Sequence, residues 1–264
     1  MLKGKIGEDF TNKQPEPPQQ DINNFEINIP TPAQYKIDWE TYKIINIKNL
    51  YPELQANALW DYYFNSSELF KTIIHPDPYF NYTDNTDTTQ GEGVMGEDGY
   101  FHLPTFKDDD PTLPARVKYA HEVRNNDGFS YFYKRTEVLH PYLNIFFSNK
   151  FIKLLEFITG HNNLTIIPEN TFVSCYESGH YNGHHTDGIN GRIAFVFHIS
   201  QDWDVWDGGL FMGMDWDWKT ITKVVVPPFN TLTMFDVSNG MPHYVSEVVQ
   251  NCDNKRISFT GWYQ

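Results

Sequence analysis

Three histidines and an aspartate crowd the stretch GHYNGHHTDGINGR, residues 179–192. His185 and Asp187 stand two positions apart, and residues i and i+2 of an extended strand project to the same side of a sheet. A neutral imidazole and a carboxylate so placed supply two-thirds of the facial ligand set that leaves positions open on a non-haem ferrous ion. The third ligand has to come from a distant segment. His243, which opens the strand-like run HYVSEVV, is the candidate. His184 faces the other side of a regular strand and is not expected to join them. The bland alternative is a surface loop rich in turn residues.

The segment after His243 sharpens the choice. It reads HYVSEVVQNCDNKRISFTGWY, with QNCDN as a turn, so 243–249 and 255–262 are expected to form a hairpin. In that hairpin Arg256 lies near Glu247, about four residues from His243, or roughly 13 Å along the sheet. A five-carbon dicarboxylate held by the metal at one end would span much of the gap, and an extended arginine covers the rest. The guanidinium then offers a bidentate fork to the far carboxylate. Metal ligands and cationic anchor sit at a spacing suited to 2-oxoglutarate.

The elements that must position these groups change character along the chain. Residues 11–34 are rich in Pro, Gln and Asn and read as part of an extended or mobile arm, 1–34. A single domain is expected over 35–264, with its catalytic core at 165–264. YPELQANALWDYYFN carries Pro52 at a first helical position and an apolar face of Leu54, Ala58, Leu59 and Tyr62. NKFIKLLEFITG repeats the helical period with Phe151, Leu154, Leu155 and Ile158, and stops at Gly160. Residues 81–112 form a long Gly-, Asp- and Thr-rich excursion, of the kind that serves as a lid; its triplet Asp108–Asp110 reads as a solvated charge run. From residue 164 onward short β-type runs follow one another: TIIP, TFVSCYE, RIAFVFHIS, KVVVP, TLTMFDV, HYVSEVV and RISFTGWY. Evenly spaced strands with turn punctuation indicate a sandwich or double-sheet barrel.

Composition narrows the partners. A chain of 264 residues with 40% hydrophobic and 16% aromatic content can bury one large core. The net charge of −14 speaks against a nucleic-acid backbone or an anionic membrane as main partner. Two cysteines, Cys175 and Cys252, make no disulfide framework. Cys175 alternates with Ser174 and Tyr176 and is expected to be a buried, inert thiol. No secretory leader or membrane-length apolar run is read in the sequence, so a cytoplasmic location is the expectation.

The stretch 172–262 resembles the core of the Fe(II)/2-oxoglutarate-dependent dioxygenases, especially the prolyl 4-hydroxylase-like branch. The resemblance rests on YESGHYNGHHTD, with Tyr176, Gly179 and Tyr181 before His-x-Asp, then RIAFVFHIS and the Gly-Gly-x-Leu turn inside DGGLFMG. PPFNTLTMFDV, HYVSEVV and RISFTGWY follow in the family's order. It implies a mainly β (α+β) double-stranded β-helix, or jelly roll, with N-terminal supporting helices. It implies His185, Asp187 and His243 as iron ligands and Arg256 as the anchor of the distal carboxylate, with Ser258 adding a hydrogen bond and Tyr176 reaching the co-substrate. Where many prolyl hydroxylases carry a tyrosine on the strand after His-x-Asp, this chain has His198. That swap is expected to keep a donor beside the carboxylate and to make binding pH-sensitive. Tyr181, Arg192 and Trp262 are candidates for the substrate mouth.

The resemblance further implies Fe(II), 2-oxoglutarate and O2, with ascorbate as a reductant, and release of succinate and CO2 as a substrate carbon is hydroxylated. Asp187 separates this pattern from related halogenases, which lose that carboxylate. A prolyl residue in a protein or peptide is the implied substrate; a free amino acid or other small molecule is the alternative within the same chemistry. The rivals of another class are a non-catalytic jelly-roll binding module and a metal-dependent cupin that uses no 2-oxoglutarate.

Overall fold

Alternation within single strands decides the architecture. In the computed structural model the described residues are 29, 31–75, 94–95, 101–102, 131–187, 190–215 and 220–264. They run α1 (Pro32–Tyr42), β1 (Ile44–Lys48), α2 (Glu53–Phe64), β2 (Lys71–His75), β3 (Val94–Met95), β4 (Phe101–His102), β5 (Tyr131–Thr136) and α3 (Asn149–Thr159). Then follow β6 (Phe172–Tyr176), β7 (Tyr181–His185), β8 (Ile193–His198), β9 (Phe211–Met214), β10 (Ile221–Val225), β11 (Thr231–Asp236), β12 (His243–Val245) and β13 (Arg256–Tyr263). Nearly all of the N-terminal arm, and the 81–112 excursion apart from the small β3–β4 ladder, lie outside the described residues, as do Asp108–Asp110. Among the described residues no helix is long and apolar enough to cross a membrane.

Eleven strands form one curled antiparallel sheet in the order β1-β11-β8-β13-β6-β5-β7-β12-β9-β10, with β2 on β5. β5 pairs with both β6 and β7 and so joins a larger half, β1 to β6, to a smaller one, β7 to β10. The halves face each other: Phe211 of β9 and Phe235 of β11 lie 4.8 Å apart between ring centroids. This is the double-stranded β-helix that the strand pattern and the resemblance imply.

Successive side chains of a strand point to opposite faces. On β8, Phe195 and Phe197 point outward and Ala194 and His198 inward; on β13, Ile257 and Phe259 point outward and Arg256 and Ser258 inward. The outward set joins the main core with Trp39, Leu59, Phe146, Phe151 and Leu155, so the helices cover the outer face of the larger half. α3 forms where its period was read: Ser148 caps it by accepting from the Phe151 N–H, Gly160 ends it at φ 74°, and Phe151, Leu155 and Ile158 are buried.

Three expectations need correction. α2 starts at Glu53, with Pro52 as its N-cap, and buries Ala56, Leu59 and Tyr63, whereas Leu54 is 83% exposed. The helix is turned because the Tyr63 hydroxyl donates to the Val138 carbonyl and accepts from the His140 N–H, which satisfies a buried phenol that no other face could serve. TIIP shrinks to one bridge, Ile166 to Tyr263, because a 3-10 turn begins at Pro168. Lastly, 243–249 and 255–262 are not a hairpin. β12 lies between β7 and β9, and β13 between β6 and β8, in opposite halves. After β12 the chain bonds back to residues 179–180 and 207–209 before it crosses over.

Candidate active site

His185 ends β7 and His243 begins β12, and the two are direct cross-strand partners. Asp187 follows β7 by two residues. Their ligand-capable atoms all lie within 4.8 Å of one another, and all three residues are buried. His243 Nε2 stands 3.3 Å from one Asp187 oxygen and His185 Nε2 3.6 Å from the other. Each imidazole points its Nδ1 at a carbonyl two residues back, Gly183 at 2.7 Å and Met241 at 2.9 Å. A carbonyl only accepts, so Nδ1 carries the hydrogen and Nε2 is the nitrogen turned toward Asp187. Burial alone would push the Asp187 carboxyl up, but the adjoining imidazoles of His243 and His185 outweigh it and hold the group well below the usual carboxylate range. Burial, with His243 alongside, draws His185 down to about 4. A carboxylate and two imidazoles, each ring fixed from behind by a carbonyl, fit a divalent transition metal with open positions. His184 stays outside this cluster, its ring 4.2 Å from Tyr244.

Arg256 is 2% exposed and begins β13 opposite Tyr176 of β6. Its guanidinium lies 4.9 Å from the Tyr176 ring centroid, and its Nε has no hydrogen-bond partner among the described residues. No described carboxylate pairs with it either. A buried cation without an anion costs several kcal/mol, so this one is complementary to an anionic ligand. Room for it comes from Gly209, where a Cβ would lie 2.9 Å from the Arg256 Cδ; the neighbouring Gly208 is packed against the Glu247 carbonyl. That is the structural content of the Gly-Gly-x-Leu turn.

The other proposed co-substrate contacts line the same inner face. Ser258 and Ser174 are cross-strand partners with hydroxyls 3.0 Å apart. Burial raises the Tyr176 phenol far above its ordinary range, so it remains an O–H donor. His198 is 1% exposed, with Nε2 3.0 Å from the Thr233 hydroxyl and Nδ1 without a partner. Burial, helped by Arg256, holds its pKa well below normal, so the imidazole is neutral in the free protein. This corrects the expected pH sensitivity: a group already neutral at ordinary pH does not titrate there.

The substrate candidates separate. Trp262 packs on Phe172, and its buried indole N–H has no partner among the described residues. With Phe172, Arg135 and Asn190 it lines a cleft of about 270 Å³. Tyr181 begins β7 opposite Phe132 of β5. Arg192 is turned elsewhere: its guanidinium donates to the carbonyls of Asn162, Asn163 and Gln264, and it does not line that cleft. Sequence reasoning missed Tyr133, which stacks on Tyr176 at 5.0 Å and 15°. The alternating aromatics of YFYKRT were the available signal. It also missed Gly209 as the neighbour of Arg256. Cys175 is buried against the helices with its thiol pushed up to about 12, as an inert thiol requires.

Residues 171–264 match the family model described as the 2OG-Fe(II) oxygenase superfamily. Prolyl 3-hydroxylase OGFOD1 of Mus musculus is 37% identical over 84 residues, which is 30% of this chain and 15% of that protein. The chain thus spans only a small part of the length of the curated relatives it matches. Among solved structures, a 2OG-Fe(II) oxygenase family oxidoreductase from Burkholderia pseudomallei superposes with TM-score 0.53 at 13% identity, covering 91% of this chain and 93% of that one. A Pseudomonas putida prolyl-4-hydroxylase gives TM-score 0.51 at 14% identity, covering 91% and 96%. These two likenesses speak for the fold. The matched segment contains β6 to β13, all three triad residues and Arg256, so the likeness to the 2OG-Fe(II) oxygenase superfamily falls on the part of the chain that builds the candidate site.

Proposed function

We propose that this protein is an Fe(II)- and 2-oxoglutarate-dependent hydroxylase whose substrate is a prolyl residue in a protein or peptide. One observation carries the reading: a buried His-Asp-His triad shares the barrel interior with a buried arginine that has no anionic partner among the described residues. His185, Asp187 and His243 would hold the iron, and Arg256 would take the far carboxylate of 2-oxoglutarate. When bound, the iron and co-substrate supply O2 activation coupled to decarboxylation to succinate and CO2, and ascorbate would serve to keep the iron ferrous.

The chain's own residues do the positioning. The carbonyls of Gly183 and Met241 fix both imidazoles, so a metal enters a site that needs little rearrangement. Tyr176, backed by Tyr133, forms an aromatic wall beside Arg256 that keeps water from the guanidinium. Trp262 and Phe172, two rings 6.2 Å apart on the wall of the cleft, offer aromatic contacts for a prolyl ring, and OGFOD1 by name acts on proline. The same reading takes 35–264 as one catalytic domain with 165–264 as its core.

Fe(II) and 2-oxoglutarate added together without O2 are expected to raise the Tm of the parent, and His243→Ala to abolish that joint rise. Equal stabilisation of the two would refute the ligand assignment. Succinate release with Fe(II), ascorbate and O2 should be stimulated by proline-containing peptides and not by free amino acids. Stimulation by free amino acids alone would move the substrate to the small-molecule class.

A further inference from the structure

Three polar side chains extend the carboxylate pocket across the sheet to its edge. Thr233 of β11 stands directly opposite Asn46 of β1 and donates to its Oδ1 at 2.8 Å. His198 Nε2 lies 3.0 Å from the same Thr233 oxygen. Thr233 and His198 are each 1% exposed, while Asn46 is half-buried on an edge strand. We propose that Asn46 and Thr233 are positioning residues: they set which nitrogen of His198 carries hydrogen, and thereby whether His198 offers a donor to the far carboxylate of 2-oxoglutarate. The inference rests on the reading of this pocket given above.

A threonine hydroxyl has one proton to give. With that proton directed at Asn46, His198 must donate from Nε2, and Nδ1 is left as a bare lone pair, buried and unpartnered. Beside the positive charge of Arg256 a lone pair is tolerable. Beside a carboxylate held by that arginine it is repulsive. The remedy lies at the far end of the row, because the Asn46 amide presents either its oxygen or its NH2 group by turning about its last torsion. With NH2 toward Thr233, Asn46 donates to Thr233, Thr233 donates to Nε2, and Nδ1 holds the hydrogen. One proton leaves Nε2 to water and one is taken up at Nδ1, so the charge is unchanged. Ser258, the direct partner of His198 on β13, and Arg256 two residues before it occupy the same inner face. Nδ1–H would then join them on one carboxylate. The row starts on β1, well outside the segment that matches the family model.

The test uses the full chain loaded with Zn(II) as a diamagnetic substitute for iron. Nitrogen-15 NMR of labelled histidines, with His198 identified through a His198→Gln variant, should find the proton on Nε2 without 2-oxoglutarate and on Nδ1 with it. An unchanged Nε2–H tautomer at saturating 2-oxoglutarate overturns the proposal. By calorimetry, Thr233→Val should raise the Kd for 2-oxoglutarate roughly tenfold, the scale of one hydrogen bond to a charged group, while Thr233→Ser stays near the parent. At pH 8, Asn46→Asp, an acceptor only, should weaken binding at least as much. Parent-like affinity in both Thr233→Val and Asn46→Asp also overturns it. If the Zn(II) parent binds no 2-oxoglutarate, the functional reading itself fails, which is a different result from tight binding with an unmoved tautomer.

Discussion

The two faces of the larger half-sheet are built from alternate residues of the same strands, and they do opposite things. The outer face, with Phe195, Phe197, Ile257 and Phe259, is fully apolar and closed by helices. Phe146 touches Phe195, Phe197 and Phe259 at ring-centroid distances of 5.1 to 5.8 Å. The inner face, with His198, Ser258 and Arg256, is as deeply buried but polar, and three of its atoms, His198 Nδ1, Arg256 Nε and Trp262 Nε1, have no partner among the described residues. Native interiors satisfy nearly all buried polar groups. The comparison teaches that stability is concentrated on one side of the sheet, and that the other side is held ready for a ligand at a cost the outer face offsets.

Substitutions on one strand test this division. Phe259→Ala should destabilise the protein by about 3–5 kcal/mol, read from denaturant unfolding, since it empties a fully enclosed ring site. Arg256→Met should do the reverse on the inner face: the ligand-free protein holds its stability or gains about 1–3 kcal/mol, because an unpaired buried charge is removed. The same variant should lose 2-oxoglutarate binding, seen by calorimetry. A destabilised Arg256→Met would mean that the inner face supports the fold after all.

A separate effect follows from pH. His180, 5% exposed, and His185 are both drawn down to about 4, burial being the largest cause, from an ordinary value of 6.5. Below pH 6.5 the unfolded chain takes up protons that these buried rings refuse. Stability of the metal-free protein should therefore fall as pH drops from about 6.5 to 4, as urea titrations across the range would record. The least effect belongs to Leu54→Ala, within about 0.5 kcal/mol of the parent, because that side chain packs on nothing despite its helical spacing.

What was legible in the sequence follows the range of the interaction. His185 and Asp187 lie two residues apart, so their convergence needed only strand geometry, and the helix at 149–159 needed only local period and caps. Arg256 could be singled out by its spacing from His243, yet the hairpin that justified the spacing is not there. QNCDN tells that the chain reverses, not which strand it rejoins, and in a β-helix consecutive strands cross between halves. Tyr133 against Tyr176, Gly209 against Arg256, and Asn46 beside Thr233 depend on register between distant segments, 187 positions apart for the last pair. No local pattern encodes such register. Leu54 shows the converse limit, since period fits several helix faces and a hydrogen-bonded tyrosine chooses among them.

β5 answers to both halves at once, pairing with β6 on one side and β7 on the other. It acts as a shared seam. Easing Tyr131–Thr136 out of place would slide Tyr133 off Tyr176 on the arginine side and strip β7 of one of its two neighbours on the histidine side. The two ends of the candidate site therefore cannot loosen one at a time, and whatever tugs on this single strand sets the tension of both.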